Sequence, residues 1–107
     1  MDKIIMDKIK KGTKFDDGKN RLDLIAPEII EELGLVYSYG TGKYEDRNWE
    51  KGMSWGRIFG AAMRHLWAFW KGEDMDPESG LNHLSHALWN VGALLTYYKR
   101  EIGEDTR

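Results

Sequence analysis

Cysteine is absent from the 107 residues, which excludes a disulfide framework, a thiolate zinc site and a cysteine nucleophile. Its absence fits a reducing cytosol. Proline occurs only at Pro27 and Pro77, and each falls where a helix is expected to begin or a linker to run. Charge of one sign is also missing: 16 Lys and Arg stand against 18 Asp and Glu, for a net charge of −2. No broad basic field is therefore available to neutralise phosphates, and binding to DNA or RNA duplexes is not expected. No apolar run reaches the ~18 residues of a membrane-crossing helix, so no membrane partner is expected. The opening MDKIIMDKIKKG lacks the continuous apolar core of a signal peptide.

Aromatic residues are plentiful by contrast. They make up 12% of the chain, and four of the five Trp lie between Trp49 and Trp70. Rings this dense point to tight packing or to an interface between copies, because each buries ~150–250 Å². The 41% hydrophobic and 32% charged content is that of a folded domain rather than a disordered chain.

The periodicity predicts an all-α bundle of three main helices, about 27–42, 54–71 and 80–101. Residues 1–13 read as a basic amphipathic arm, 14–102 as one helical domain and 103–107 as a flexible tail. Within that domain, 14–26 reads as an extended segment clamped onto the helices. Pro27 suits the first position of a helix, and Glu28, Glu31 and Glu32 complement its dipole. Ser54 is the expected N-cap of the second helix, and Asp76 or Ser79 that of the third. The second helix is apolar nearly all round and is expected at the centre, packed on several sides. Its excess apolar surface predicts a homodimer or homotetramer. In the third helix Leu81, Leu84, Leu88, Val91, Leu95 and Tyr98 form the expected core face. A second line, His83, His86, Asn90, Ala93 and Tyr97, runs beside it.

Candidate chemistry falls in three places. His83 and His86 share a helix face, and the acidic loop before them carries Glu73, Asp74 and Asp76. Histidines and carboxylates converging like this can hold a divalent metal, and the pair Glu73 and Asp76 suits Mg²⁺ or Mn²⁺. Helix capping by the acids and structural hydrogen bonding by the histidines are the plainer readings. The segment KYEDRNWEKG offers Lys43 and Arg47 for phosphates, Asn48 for a base edge, and Tyr44 or Trp49 for stacking. A solvated loop anchored by one buried Trp is the alternative there. Lys19, in DDGK, is a weaker phosphate candidate, since nothing matches a P-loop. Arg64 interrupts the apolar second helix and is expected to pair with an acid of 73–78 or with a ligand. His65 beside it and Asn90 on the third helix complete the nucleotide-contacting set.

In order, KFDDGKNRLDLIAPE, YGTGKYEDRNWEKGMSW, RHLWAFWKGEDMDPESG and HLSHALWN resemble the phage dATP/dGTP diphosphohydrolase N-terminal domain family. The resemblance covers about residues 14–95. It implies a relative of the all-α, MazG-like nucleotide pyrophosphohydrolases, which act as dimers or tetramers. Those enzymes split a nucleoside triphosphate into monophosphate and pyrophosphate with Mg²⁺ or Mn²⁺ on helix carboxylates. It also implies action in the cytoplasm of an infected or lysogenic host cell. The pattern carries over unevenly. Glu28, Glu31 and Glu32 resemble the ExxEE of that group, and Glu73 with Asp76 resembles its ExxD. The gap between Glu32 and Glu73 is wide, however, and the middle helix has no acid. The expected metal ligands are Glu73, Asp76, His83 and His86, with Glu73 and Asp76 catalytic and Glu31 and Glu32 second choices. Two other functions fit the same residues: a non-catalytic protein that sequesters a host-defence signalling nucleotide, and a helical protein-interaction module.

Overall fold

A computed structural model describes residues 12–15 and 17–107. The expected arm therefore lies almost entirely outside the described residues. Three helices dominate: α1 (Pro27–Thr41), α2 (Trp55–Trp70) and α3 (His83–Arg100). Short 3-10 turns occupy Leu22–Leu24 and Asn48–Lys51. No strand forms among the described residues, so the protein is all-α as the periodicity predicts.

Local chemistry sets the helix ends. Pro27 stands in the first turn of α1 with Glu28. Ser54 occupies the N-cap position of α2, but its hydroxyl caps nothing. The C-terminal residues cap α2 instead: Trp55 N–H donates to the Glu104 carbonyl at 2.9 Å, and Gly56 N–H to Thr106 Oγ1 at 2.9 Å. Residues 103–107, read as a flexible tail, thus run back along the start of α2. Gly52 and Gly103 make this possible, with φ of 96° and 78°. A Cβ on Gly103 would lie 2.5 Å from the Met53 carbonyl oxygen. The third helix begins later than expected. Asn82, rather than Asp76 or Ser79, caps it by accepting from Leu84 N–H at 2.8 Å.

The helices do not pack as hydrophobicity suggests. α3 is the central element, because both α1 and α2 pack on it. α2 buries only Ile58 and Ala62 fully and leaves its other side open. α3 turns its polar line inward: His83, His86, Asn90, Ala93 and Tyr97 are buried, while Leu84, Leu88, Val91, Leu95 and Tyr98 are exposed. The expected core face of α3 is therefore its outer face. Burial of a polar line is tolerable only if its groups are paired, and no buried side-chain nitrogen or oxygen among the described residues lacks a partner. The core gathers around Ile58, Ala93 and Tyr97, with Trp49, Trp55 and Trp89 packed against it. Residues 21–26 lie exposed, Leu22 and Leu24 included, rather than clamped on the helices.

Candidate functional site

The start of α2 lies beside the end of α3, where Trp55 Nε1 donates to the Ile102 carbonyl at 3.0 Å. The end of α2 lies beside the start of α3, where His65 meets His83. The two helices are therefore antiparallel, and all three histidines converge. His65 Nδ1 and His83 Nδ1 are 2.8 Å apart. The His65 ring stacks on His86 with centroids 4.6 Å apart and planes 11° from parallel. His83 Nε2 lies 2.7 Å from Glu73 Oε1. An ionised Glu73 only accepts, so His83 carries its proton on Nε2 and takes a proton from His65 on Nδ1. Glu73, His83 and His65 then form a chain that leaves the lone pair of His65 on Nε2. Burial and the neighbouring imidazoles of His86 and His83 push the His65 pKa down, which favours that neutral ring.

A second branch runs through the loop between α2 and α3. The Ser79 hydroxyl donates to Asp76 Oδ2 at 2.8 Å, and Ser79 Oγ lies 2.7 Å from His86 Nε2. Ser79 has thus spent its own proton on Asp76 and accepts the one on His86 Nε2. That polarity is opposite to the one a serine nucleophile needs, so Ser79 positions the ring. Burial opposes ionisation of Asp76, but the Ser79 hydroxyl and N–H outweigh it and hold the carboxyl below its ordinary range. Burial pushes His86 down as well, against the pull of Asp76.

The four expected metal ligands share this network, yet they are turned on one another. His83 uses both ring nitrogens, His86 Nε2 is taken by Ser79, and His86 Nε2 and Asp76 Oδ2 are 3.6 Å apart. Among the described residues no group of three His, Asp or Glu is placed to hold a metal ion. No orphaned buried donor or acceptor marks a vacant position either. As arranged, these side chains do not fit a metal cage. Glu32, a second choice, accepts from Ser85 Oγ at 3.2 Å across the α1–α3 contact, and Glu31 is exposed on α1.

Next to the histidines a cavity of about 910 Å³ opens between α1, the 43–50 loop and α3. That volume lies within the range of small-ligand sites, roughly 300–1,000 Å³. Tyr37, Trp49 and Trp89 form an aromatic wall, with Trp49 and Trp89 edge to face at 5.8 Å. His86 and Asn90 line it from α3, and Asn90 Nδ2 donates to the His86 carbonyl at 2.8 Å. Lys43, Arg47 and Arg100 bring three cations to its edge. Each is engaged by a carboxylate: Lys43 with Glu78 at 2.6 Å, and Arg47 and Arg100 both with Glu50, at 3.1 and 2.7 Å. Glu78 holds the Lys43 pKa high, and the Arg100 and Arg47 guanidiniums hold Glu50 low.

The structure thus brings Lys43, Tyr44, Arg47, Asn48, Trp49, His86 and Asn90 to one cavity, with His65, His83, Glu73 and Asp76 in the network behind it. Lys19 sits in an exposed turn and does not line the cavity. Arg64 departs from expectation: it is exposed, forms no ion pair among the described residues, and lies along Gly60. Residues 65–70, more than one turn of α2, separate it along the chain from the acids of 73–78, and exposure to water removes the need for a partner. Tyr37, Glu50, Glu78, Ser79, Trp89 and Arg100 were not singled out as site residues from the sequence. The spacing of Asp76 and Ser79 is the one available signal, since it suits a side-chain-capped turn.

A family profile described as dATP/dGTP diphosphohydrolase, N-terminal, matches residues 9–107. A dATP/dGTP diphosphohydrolase of Salmonella phage PMBT28 is 42% identical over 76 residues, which cover 71% of this chain. The match spans only 26% of the length of that relative. No solved structure matches significantly. Among the described residues no helix is long and apolar enough to cross a membrane.

Proposed function

Because the chain belongs to the dATP/dGTP diphosphohydrolase N-terminal family, we propose that it hydrolyses purine deoxynucleoside triphosphates to monophosphate and pyrophosphate, in the cytoplasm of a phage-infected or lysogenic host. The observation that carries this reading is the cavity in which an aromatic wall, three cations and His86 meet. A purine fits against Trp49 or Tyr44, where stacking on an aromatic face contributes ~1–3 kcal/mol. Asn48 and Asn90 offer donors and acceptors to base or sugar. Lys43 and Arg47 exchange Glu78 and Glu50 for phosphate oxygens, and Arg100 stands beside them.

The proton chemistry belongs to the histidines. His86, kept neutral by burial and fixed by Ser79, lies on the cavity wall. His65 stacks behind it with a free lone pair on Nε2 and the Glu73–His83 pair at its back. A neutral imidazole held this way can take a proton from an attacking water. The proposal retains the expectation of Mg²⁺ or Mn²⁺, but no step is routed through a metal, since the candidate ligands are spent on one another. That same lack of a converged carboxylate set favours a second reading, a nucleotide-sequestering protein that binds without hydrolysis. Substituting Tyr44→Ala and Lys43→Ala, both exposed side chains of the cavity lining, and measuring dATP and dGTP binding by titration calorimetry tests the cavity. Each variant is expected to weaken binding at least tenfold with the fold intact. Unchanged affinity in both would remove the nucleotide from this cavity.

A further inference from the structure

Asn90 is the least exposed polar residue on the cavity wall, at 5%. Its amide is fixed in one orientation. Nδ2 donates to the His86 carbonyl one turn back along α3, at 2.8 Å. The flipped amide would set Oδ1 against that carbonyl, acceptor against acceptor. Oδ1 itself has no hydrogen-bond partner among the described residues, yet no enclosed side-chain oxygen or nitrogen among them lacks one. Oδ1 therefore reaches open space, and the open space that Asn90 lines is the cavity. A nearly buried amide that turns its donor onto its own helix and its acceptor into a cavity is matched to an incoming N–H or O–H.

The distribution of charge decides which part of a nucleotide arrives there. The cations stand at the rim, with the Arg47 side chain 81% exposed. Phosphates are held at that rim, where guanidinium and ammonium groups meet them without being buried. Asn90 is set back from the rim beside Trp89, which joins Tyr37 and Trp49 in the aromatic wall. The flat, apolar end of the ligand belongs against that wall, so its edge is what meets Oδ1.

We infer that Asn90 reads the base: its Oδ1 accepts an N–H from the exocyclic amino group of the purine. The inference rests on the reading of this cavity as a nucleotide site. It assigns Asn90 a contact with the ligand that selects among bases, not a part in the proton chemistry. A purine without the amino group leaves the nearly buried acceptor unpaired, which costs about tenfold or more in affinity. The sugar hydroxyl is the other donor a nucleotide carries, and it lies between base and phosphates, nearer the rim.

Calorimetric titration of the purified chain tests it. Whichever of dATP and dGTP binds more tightly is compared with its analogue lacking only the amino group: purine 2′-deoxyriboside triphosphate for dATP, dITP for dGTP. The wild type is expected to prefer the amino-bearing ligand by about tenfold or more. In Asn90→Ala that preference is expected to vanish, because the acceptor is gone. A residue that merely supports the wall would weaken both ligands alike and leave their ratio intact, which would overturn the inference. Should Asn90→Ala fail to fold, Asn90→Ser gives the same reading, since its hydroxyl bonds back to the His86 carbonyl and leaves no acceptor for the ligand. The 2′,3′-dideoxy form of the same nucleotide tests the sugar. An Asn90-dependent loss with that form, and none with the analogue lacking the amino group, would give Oδ1 to the hydroxyl and overturn the base assignment. Equal wild-type affinity for the two bases overturns the inference but keeps the cavity as a nucleotide site. Failure of every nucleotide to bind overturns both.

Discussion

Tyr97→Phe isolates one bond that ties the fold to the cavity. Tyr97 is fully buried, and its hydroxyl donates to the Trp49 carbonyl at 2.5 Å. Its ring also lies 6.1 Å from the Trp49 ring. The substitution keeps the ring and its packing and removes only the hydroxyl. The Trp49 carbonyl keeps the Gly52 N–H at 3.1 Å, so the loss is that of one net hydrogen bond, about 0.5–1.5 kcal/mol. At roughly 4 °C per kcal/mol for a domain of this size, the melting temperature should fall by about 2–6 °C. Truncation to Ala removes the ring too and should cost more, about 3–5 kcal/mol. The loss should also reach the ligand, because the 3-10 turn Asn48–Lys51 carries Asn48, Trp49 and Glu50 into the cavity wall. Thermal melts by circular dichroism and nucleotide titrations would read both effects. A Tyr97→Phe protein that melts with the wild type would refute the claim that this bond anchors the turn.

Other outcomes follow from the same geometry. Gly103→Ala should destabilise by more than 1 kcal/mol in chemical denaturation, since the new Cβ meets the Met53 carbonyl at φ 78°; an unchanged midpoint would mean the C-terminal residues do not hold α2. Burial depresses the pKa of His65 and His86 in the fold, so the stability they carry is complete above about pH 6.5 and is lost as pH falls through their folded values. Melting temperatures taken from pH 7.5 down to 5 should decline, and a rise over that range would contradict the neutral assignment. Glu78→Ala releases Lys43 from an exposed pair, so the melting temperature should stay where it is while triphosphate affinity increases; calorimetry showing weaker binding would make Glu78 a ligand contact instead.

Much of the architecture was readable from residue spacing. Pro27, the glycines after Tyr39 and the breakers from Gly72 to Gly80 delimit the helices to within about three residues. The face of α3 that enters the core was not readable. Ranking by hydrophobicity selects Leu84, Leu88, Val91 and Leu95, on the assumption that the largest apolar stripe is buried within one chain. The structure buries His83, His86 and Asn90 instead, because their polar atoms find partners in Glu73, Ser79, His65 and the backbone of α3. Small Ala87 and Ala93 let that line approach its neighbours. The 43–49 loop was legible as a cluster of ligand-contacting types. Its opposite wall was not, because Tyr37, Trp89 and Arg100 come from helices whose rotation sequence spacing left open. The role of Ser79 depends on a hydroxyl direction that only the hydrogen-bond network reveals.

The central claim is that a purine deoxynucleotide is hydrolysed at the cavity beside the histidines. Its most direct test is chromatography of the nucleotide recovered after incubation with the purified protein and Mn²⁺, followed by denaturation. The account predicts dGMP or dAMP with pyrophosphate, lost in His86→Ala. A triphosphate that returns intact, with or without metal, would contradict hydrolysis; if it had been held by the protein before denaturation, sequestration would take its place.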